Sequence, residues 1–359
     1  MHSHTHFQTP LHSHSHSEAC TVGKTDDGAS ISSDIDEQAA EANALMDVVA
    51  AFMCYKMFQL NNGIYRRLHH IDELSERHRE IVSSLGTIDK IKSVEKLVRE
   101  NYKFLLDLVY SSSVGEMPDP SDNPDEFKQW YKSFVESRVH AGKGMVSDGH
   151  MSKVLSTLKQ FVRDWSEDGQ SERQQTYGPI MEALESKFAG VAPESRGGVH
   201  VLVPGAGLGR LAFDICCRGF SCQGNEFSYF MLFASNYILN KTKQINQHTI
   251  YPFIHQFSNV ALVQDQLRPV RIPDVLPSEM PYRDTADFSM AAGDFIEIYS
   301  AEDQKEKWDV VVTCFFMDTA NNVLSYLDTL WNALKPGALW INFGPLLWHF
   351  DNVENESSI

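Results

Sequence analysis

Gly205, Gly207 and Gly209 in VPGAGLGR stand directly after the apolar run HVLVP. Bare backbone at such a turn lets a ligand lie against the chain, and glycine accepts the positive φ that a tight strand-to-helix bend needs. A glycine turn is as readily a plain structural bend, so the acids downstream decide its meaning. Glu226 closes the next apolar stretch, FSCQGNE, about 20 residues past the turn, where nucleoside-binding α/β folds place a carboxylate that accepts the two ribose hydroxyls. Asp294 and Phe295 follow FSMAAG. An acid there can accept from an adenine amino group, with the aromatic ring on or beside the base. Each acid alone reads equally as a helix cap. Turn, Glu226 and Asp294 at three successive strand ends read as a nucleoside site.

Arg210 says which kind of nucleoside. Dinucleotide folds use G-x-G-x-x-G, where the third glycine lets the helix close on the strand below a pyrophosphate. This chain has Arg210 in that place, which disfavours a nicotinamide-dependent oxidoreductase. Gly205 and Gly207 then need only admit a nucleoside with an amino-acid tail. That pattern favours S-adenosylmethionine over a dinucleotide, and with it methyl transfer. Cys314, in VVVTCFFMDTANN, reads first as an apolar residue of a buried strand. Asp318 lies past the end of that strand, where open α/β sheets hold their ligands, and could accept a hydrogen bond from a substrate N–H. His349 follows in GPLLWHF.

Positioning these residues requires a parallel sheet. The strand candidates HVLVP, FSCQGNE, FSMAAG, WDVVVTCFF and ALWINFG are short apolar runs with helical stretches between most of them. Runs of that kind indicate strands covered on both faces, as in α/β folds. A segment from Tyr251 to Asp287 breaks the rhythm with YPFIHQFSN and a proline-bearing loop, and long loops in compact domains are often functional. Upstream, residues 38–150 read as an N-terminal helical module, punctuated at Asn61, Asn62 and Gly63 and by a Pro-, Ser- and Asp-rich loop over 111–125. A helix pair breaks at Asp168 and Gly169, with Arg163 and Trp165 just before the break and Arg173 just after it. Residues 1–37 read as a disordered tail whose alternating histidines could bind a metal weakly, although nothing beside them completes a fixed metal site. The domains expected are therefore the tail, the helical module and an α/β domain over 151–359.

Composition bounds the partners. Hydrophobic residues at 42% and charged residues at 22% suit a globular chain with a sizeable core. A net charge of −17 opposes binding to a phosphate backbone, so nucleic acid is a poor substrate. A small molecule, or a peptide with a positive end, fits better. No apolar run is long enough for a membrane span. The six cysteines show no metal-type spacing and, with no export signal, read as reduced thiols of the cytosol or nucleus.

VPGAGLGRLAF, CQGNEFSYFMLFASNYILN, YPFIHQFSN, AGDFIEIY, TCFFMDTANNVLSYLDTLW and GPLLWHF, in this order and spacing, resemble the carnosine N-methyltransferase family over roughly residues 153–359. The resemblance implies a Rossmann-like class I methyltransferase sheet, S-adenosylmethionine as donor, and the dipeptide carnosine as acceptor, giving anserine. By matching position it implies cofactor contacts from Gln160, Arg163, Gly205, Glu226, Asp294, Phe295 and Cys314, and substrate contacts from Asp318 and His349. Gln160 and Arg163 would then reach over the methionine end of the donor. The family pattern continues past Ile359, so the expectation is a sheet lacking its last antiparallel strands, with an exposed edge and an incomplete substrate wall. Two alternatives stay open: methylation of histidine in other peptides or proteins, and a non-catalytic cofactor-binding remnant. A homodimer is compatible with the sequence.

Overall fold

The computed structural model describes residues 6–8, 27–112, 123–140 and 146–349. Strand β1 (His6–Gln8) is followed by a helical module: α1 (Asp27–Phe58), α2 (Arg66–Asp72), α3 (Glu76–Ser84), α4 (Thr87–Ser111) and α5 (Pro124–His140). Most of the histidine-rich tail lies outside the described residues. Helix α1 begins at Asp27, within the stretch expected to be tail. Ala, Glu and Gln gather over 37–44, where they favour a helix without giving it an apolar period. Asn61, Asn62 and Gly63 do not end a helix either. The chain passes them in a π-helical stretch, Gln59–Tyr65, and runs on into α2. Wider turns of that kind absorb an extra residue without breaking the helix.

Helices α6 (Asp148–Trp165) and α7 (Gln170–Lys187) fold back on each other across a 3₁₀ turn at Glu167–Gly169, as the Asp168–Gly169 break predicts. The α/β part comprises β2 (His200–Pro204), α8 (Arg210–Cys216), β3 (Ser221–Glu226) and α9 (Tyr229–Asn240). The inserted segment adds β4 (His248–Ile250), α10 (Val263–Leu267) and β5 (Val270–Ile272), and the main sheet resumes with β6 (Phe288–Ala292), α11 (Phe295–Tyr299), β7 (Trp308–Cys314), α12 (Val323–Ala333) and β8 (Leu334–Phe343).

The six-stranded sheet runs β1-β6-β3-β2-β7-β8 with every pair parallel. All five strand candidates are present in it. Alternation sorts their side chains onto two faces. Val201, Val203, Val310 and Val312 point into a large core with α8, α9 and the N-terminal helices. Leu202 and Val311 point the other way, joined by Trp308 across a register irregularity before Val310, against Phe295 and Tyr299 of α11 and Leu330 and Ala333 of α12. Burying each such side chain contributes roughly 1.5–3 kcal/mol. The C-terminal half of α1 is apolar around its whole circumference, Val48 to Tyr55 being at most 5% exposed. Phe52 packs on Phe230 and Phe233 of α9, so the helical module and the sheet share one core.

The inserted segment is less irregular than its sequence suggests, because β4 and β5 pair antiparallel. It is pinned to the helical module. Asn101 of α4 accepts the Tyr251 N–H at 2.7 Å and donates to the Tyr251 carbonyl at 2.9 Å, and Tyr55 lies 2.6 Å from His255 Nε2. At the far side, β8 has no partner on its outer edge among the described residues. Trp331 of α12 is 85% exposed.

Candidate active site

The strand order reverses between β2 and β7, and open α/β sheets form a ligand crevice at that point, beyond the carboxyl ends of the strands. Gly205, Glu226, Asp294, Cys314 and Asp318 all lie at those ends. Gly205 has φ 65°, and a Cβ placed on it would stand 2.5 Å from the Phe316 ring. Only glycine gives both the turn and the room.

Glu226 does more than end β3. Its Oε2 accepts the Gly207 N–H at 2.8 Å, and its Oε1 accepts those of Phe227 at 3.0 Å and Ser228 at 2.8 Å. The carboxylate therefore ties the second strand end to the glycine turn. Asn225 beside it is buried and donates to the Gly293 carbonyl at 2.9 Å, which draws the third strand end against the second. There Asp294 caps α11, its Oδ1 accepting from Ile296 at 2.7 Å and Glu297 at 3.2 Å. Its Oδ2 has no protein donor among the described residues. Phe295 departs from expectation. The residue is 3% exposed, its ring packed edge-on to Phe316 and Tyr326, so the ring faces other aromatic side chains rather than open crevice.

Helix α6 brings Gln160 and Arg163 to the glycine turn. Gln160 Nε2 would lie 3.3 Å from a Cβ on Gly207. Arg163 stands 6.0 Å from the Phe315 ring. Cys314 lines a notch with Arg163 and Gly205. Burial pushes its thiol up to about 12, with Arg163 opposing weakly, so the group stays protonated and forms a wall rather than a nucleophile. Asp318 and His349 also meet. Asp318 is 3% exposed, its Oδ2 accepts the Leu347 N–H at 3.3 Å, and His349 Nε2 lies 4.0 Å from the same oxygen. The backbone closes the loop, His349 N–H donating to the Asp318 carbonyl at 3.0 Å.

A set of buried ions behind the turn has no counterpart in the sequence reading. Arg210, there only a missing glycine, donates to Asp274 at 2.6 Å, to Asp214 at 2.9 Å and to the Asp164 carbonyl at 2.8 Å. Arg173 takes the other oxygen of Asp274 at 2.5 Å. Trp165 donates to the Leu208 carbonyl inside the turn at 3.1 Å. The inserted segment thus reaches the site through Asp274. The only local sign was a charged residue placed directly after three glycines.

A parallel sheet in this order, with a glycine turn after its central strand and an acid closing the next, is that of a class I S-adenosylmethionine-dependent methyltransferase. The sequence profile described as carnosine N-methyltransferase matches residues 141–359. The mouse (Mus musculus) protein "Carnosine N-methyltransferase" is 42% identical over 329 residues, which cover 90% of this chain and 75% of that protein. Its namesake from Schizosaccharomyces pombe is 40% identical over 321 residues, covering 89% and 80%. The chain belongs to the carnosine N-methyltransferase family.

The residues present fit such a donor. Glu226 is a fixed carboxylate at the strand end with acceptor capacity left, Asp294 keeps a free oxygen, and the backbone at Gly205 and Gly207 is bare. Burial raises the Glu226 carboxyl above its ordinary 4.5, although three backbone N–H groups favour the ion. A ribose hydroxyl would donate to the ionised form. Affinity for S-adenosylhomocysteine, followed by calorimetry, should therefore fall as pH drops, beginning above the ordinary carboxylate range. Glu226→Gln should bind weakly at every pH and lose that dependence; an unchanged profile in the variant would assign the titration elsewhere. The sign for stability is opposite. The folded chain holds this proton more tightly than the unfolded one, so the contribution of Glu226 to stability falls as pH rises from 4.5 through the raised value.

Proposed function

We propose that this chain transfers a methyl group from S-adenosylmethionine to an imidazole nitrogen of carnosine, giving anserine. The observation that carries the reading is the convergence of Asp318 and His349 at the crevice, 4.0 Å apart, beside the turn that Glu226 braces. Membership of the family supports the dipeptide as acceptor, and the net charge of −17 suits a ligand with a positive end.

The donor, when bound, supplies an already activated methyl group. What is left for the protein is to orient a neutral nucleophile in line with it and keep water away. A free imidazole has a pKa near 6.5 and is mostly neutral at pH 7. Its attacking nitrogen carries no proton, so the other ring nitrogen does. Asp318 accepts a hydrogen bond from that N–H, which selects the tautomer and offsets the charge that grows on the ring. After transfer the same oxygen can take the ring proton. His349 hydrogen-bonds the dipeptide, at its ring or its terminal carboxylate. Gln160 and Arg163 hold the amino-acid end of the donor, Glu226 its ribose hydroxyls and Asp294 its adenine amino group. Cys314 walls the crevice as a neutral thiol.

Incubation of the purified chain with donor and either carnosine or histidine-containing peptides, read by mass spectrometry, tests this. A gain of one methyl on carnosine in preference to the peptides is expected. Methylation of peptides alone would move the acceptor to protein histidines. Donor binding with no methylated product from any imidazole would leave a non-catalytic protein.

A further inference from the structure

Two opposite charges stand side by side where α6 meets the glycine turn. Arg163 is partly exposed, while the neighbouring Asp164 is 1% exposed. The strand beneath brings no charge of its own, because β2 ends in Leu202, Val203 and Pro204. The Asp164 carboxylate is suspended over the bend, its Oδ2 3.8 Å from where a Cβ on Gly207 would be. Gln160 donates to that oxygen at 2.8 Å. The other oxygen takes Arg163 Nε at 3.2 Å and the Tyr177 hydroxyl at 3.2 Å. A carboxylate has about four acceptor positions, so three donors leave room on Oδ2. Arg163 uses its Nε for this contact, and among the described residues neither Nη has a hydrogen-bond acceptor.

Between the pair and the turn lies a notch of about 30 Å³, lined by Arg163, Asp164, Tyr177, Gly205, Ala206 and Cys314. It has space for one group about the size of a water molecule. Asp164 is the one carboxylate in its wall. An ammonium group matches the size, and a carboxylate with a spare lone pair matches the charge. We propose that Asp164 accepts the α-ammonium of the donor's amino-acid tail while Arg163 takes its α-carboxylate, so that the adjacent pair reads a zwitterion. Tyr177 acts as a positioning residue that holds the Asp164 carboxylate in place, and Gln160, beside its own contact with the donor, donates to the same carboxylate. The inference rests on S-adenosylmethionine being the donor.

The test compares two ligands that cannot be turned over. One is S-adenosylhomocysteine, which carries the full zwitterion. The other is the analogue in which hydrogen replaces the α-amino group. Calorimetry on the intact chain should show the first binding roughly 10- to 100-fold more tightly. Asp164→Asn should lose most of that preference, binding the first ligand more weakly and the second about as before. Equal weakening of both ligands would mean that Asp164 only supports Gln160 and Arg163. An unvaried protein with no preference for the ammonium would overturn the inference without any variant having to fold. Binding of neither ligand would instead overturn the donor reading itself.

Discussion

Asp318→Asn is expected to lower kcat/KM for carnosine by roughly 10- to 150-fold, while affinity for S-adenosylhomocysteine changes less than about twofold. A hydrogen bond to a charged partner contributes about 1.5–3 kcal/mol, and each 1.36 kcal/mol is about a factor of ten in rate. Asparagine keeps the shape and keeps an oxygen for the Leu347 N–H, which lies 3.3 Å from Asp318 Oδ2, so the local fold should survive. What it loses is the charge facing the ring. Because that charge grows in value as the imidazole becomes cationic, the loss should fall on kcat more than on KM. The unvaried protein should also gain rate with pH through the titration of the free imidazole near 6.5, since only the neutral ring attacks. Steady-state kinetics on both proteins across pH decides the matter. Full turnover by the variant at normal KM would remove Asp318 from the chemistry.

The largest effect on stability is expected at Asp274, a residue with no claim on the reaction. Its two oxygens take Arg210 and Arg173 at 2.6 and 2.5 Å, and those side chains are 8% and 7% exposed. Removing one partner of a buried ion pair leaves a charge without compensation and costs about 3–5 kcal/mol. Asp274→Ala should lose about that much in denaturant unfolding. Arg210 keeps Asp214, so the uncompensated charge falls mainly on Arg173, whose remaining contacts are the carbonyls of Arg163 and Ser166. Asp168→Ala is the control. It breaks the pair with Arg268, both members of which are well exposed, and pairs of that kind contribute about 1 kcal/mol or less. The two substitutions should differ several-fold. If they cost the same, the buried ions are not what fastens the inserted segment to the turn.

The contrast between these residues shows what a linear reading can reach. The five main strands were legible because each is a continuous apolar run, and the turn because its glycines are adjacent. Glu226 and Asp294 were legible because each follows a strand by a short, fixed step. Asp274 was not, since it meets Arg210 and Arg173 only after the inserted segment folds back. Nothing in PDVLP distinguishes it from a surface acid. Asp164 was visible as a letter beside Arg163, but its burial depends on α7 bringing Tyr177 across. The burial of Phe295 was not legible either, because an aromatic after a strand-end acid reads the same whether its ring faces the crevice or the core. Strands β4 and β5, at three residues each, are too short to carry a period. The start of α1 was hidden by acidic residues that resemble a solvated tail.

Glu226 has one more consequence, which concerns entropy. A glutamate side chain free in water samples many rotamers, and fixing one costs up to about 1.5–2 kcal/mol. Here Gly207, Phe227 and Ser228 hold both oxygens in place within the folded chain itself. The ordering is completed when the chain folds, and none of it is left to the moment of association. In the proposed function, where Glu226 receives the ribose, a donor would meet a carboxylate already ordered, and more of the contact energy would appear as affinity.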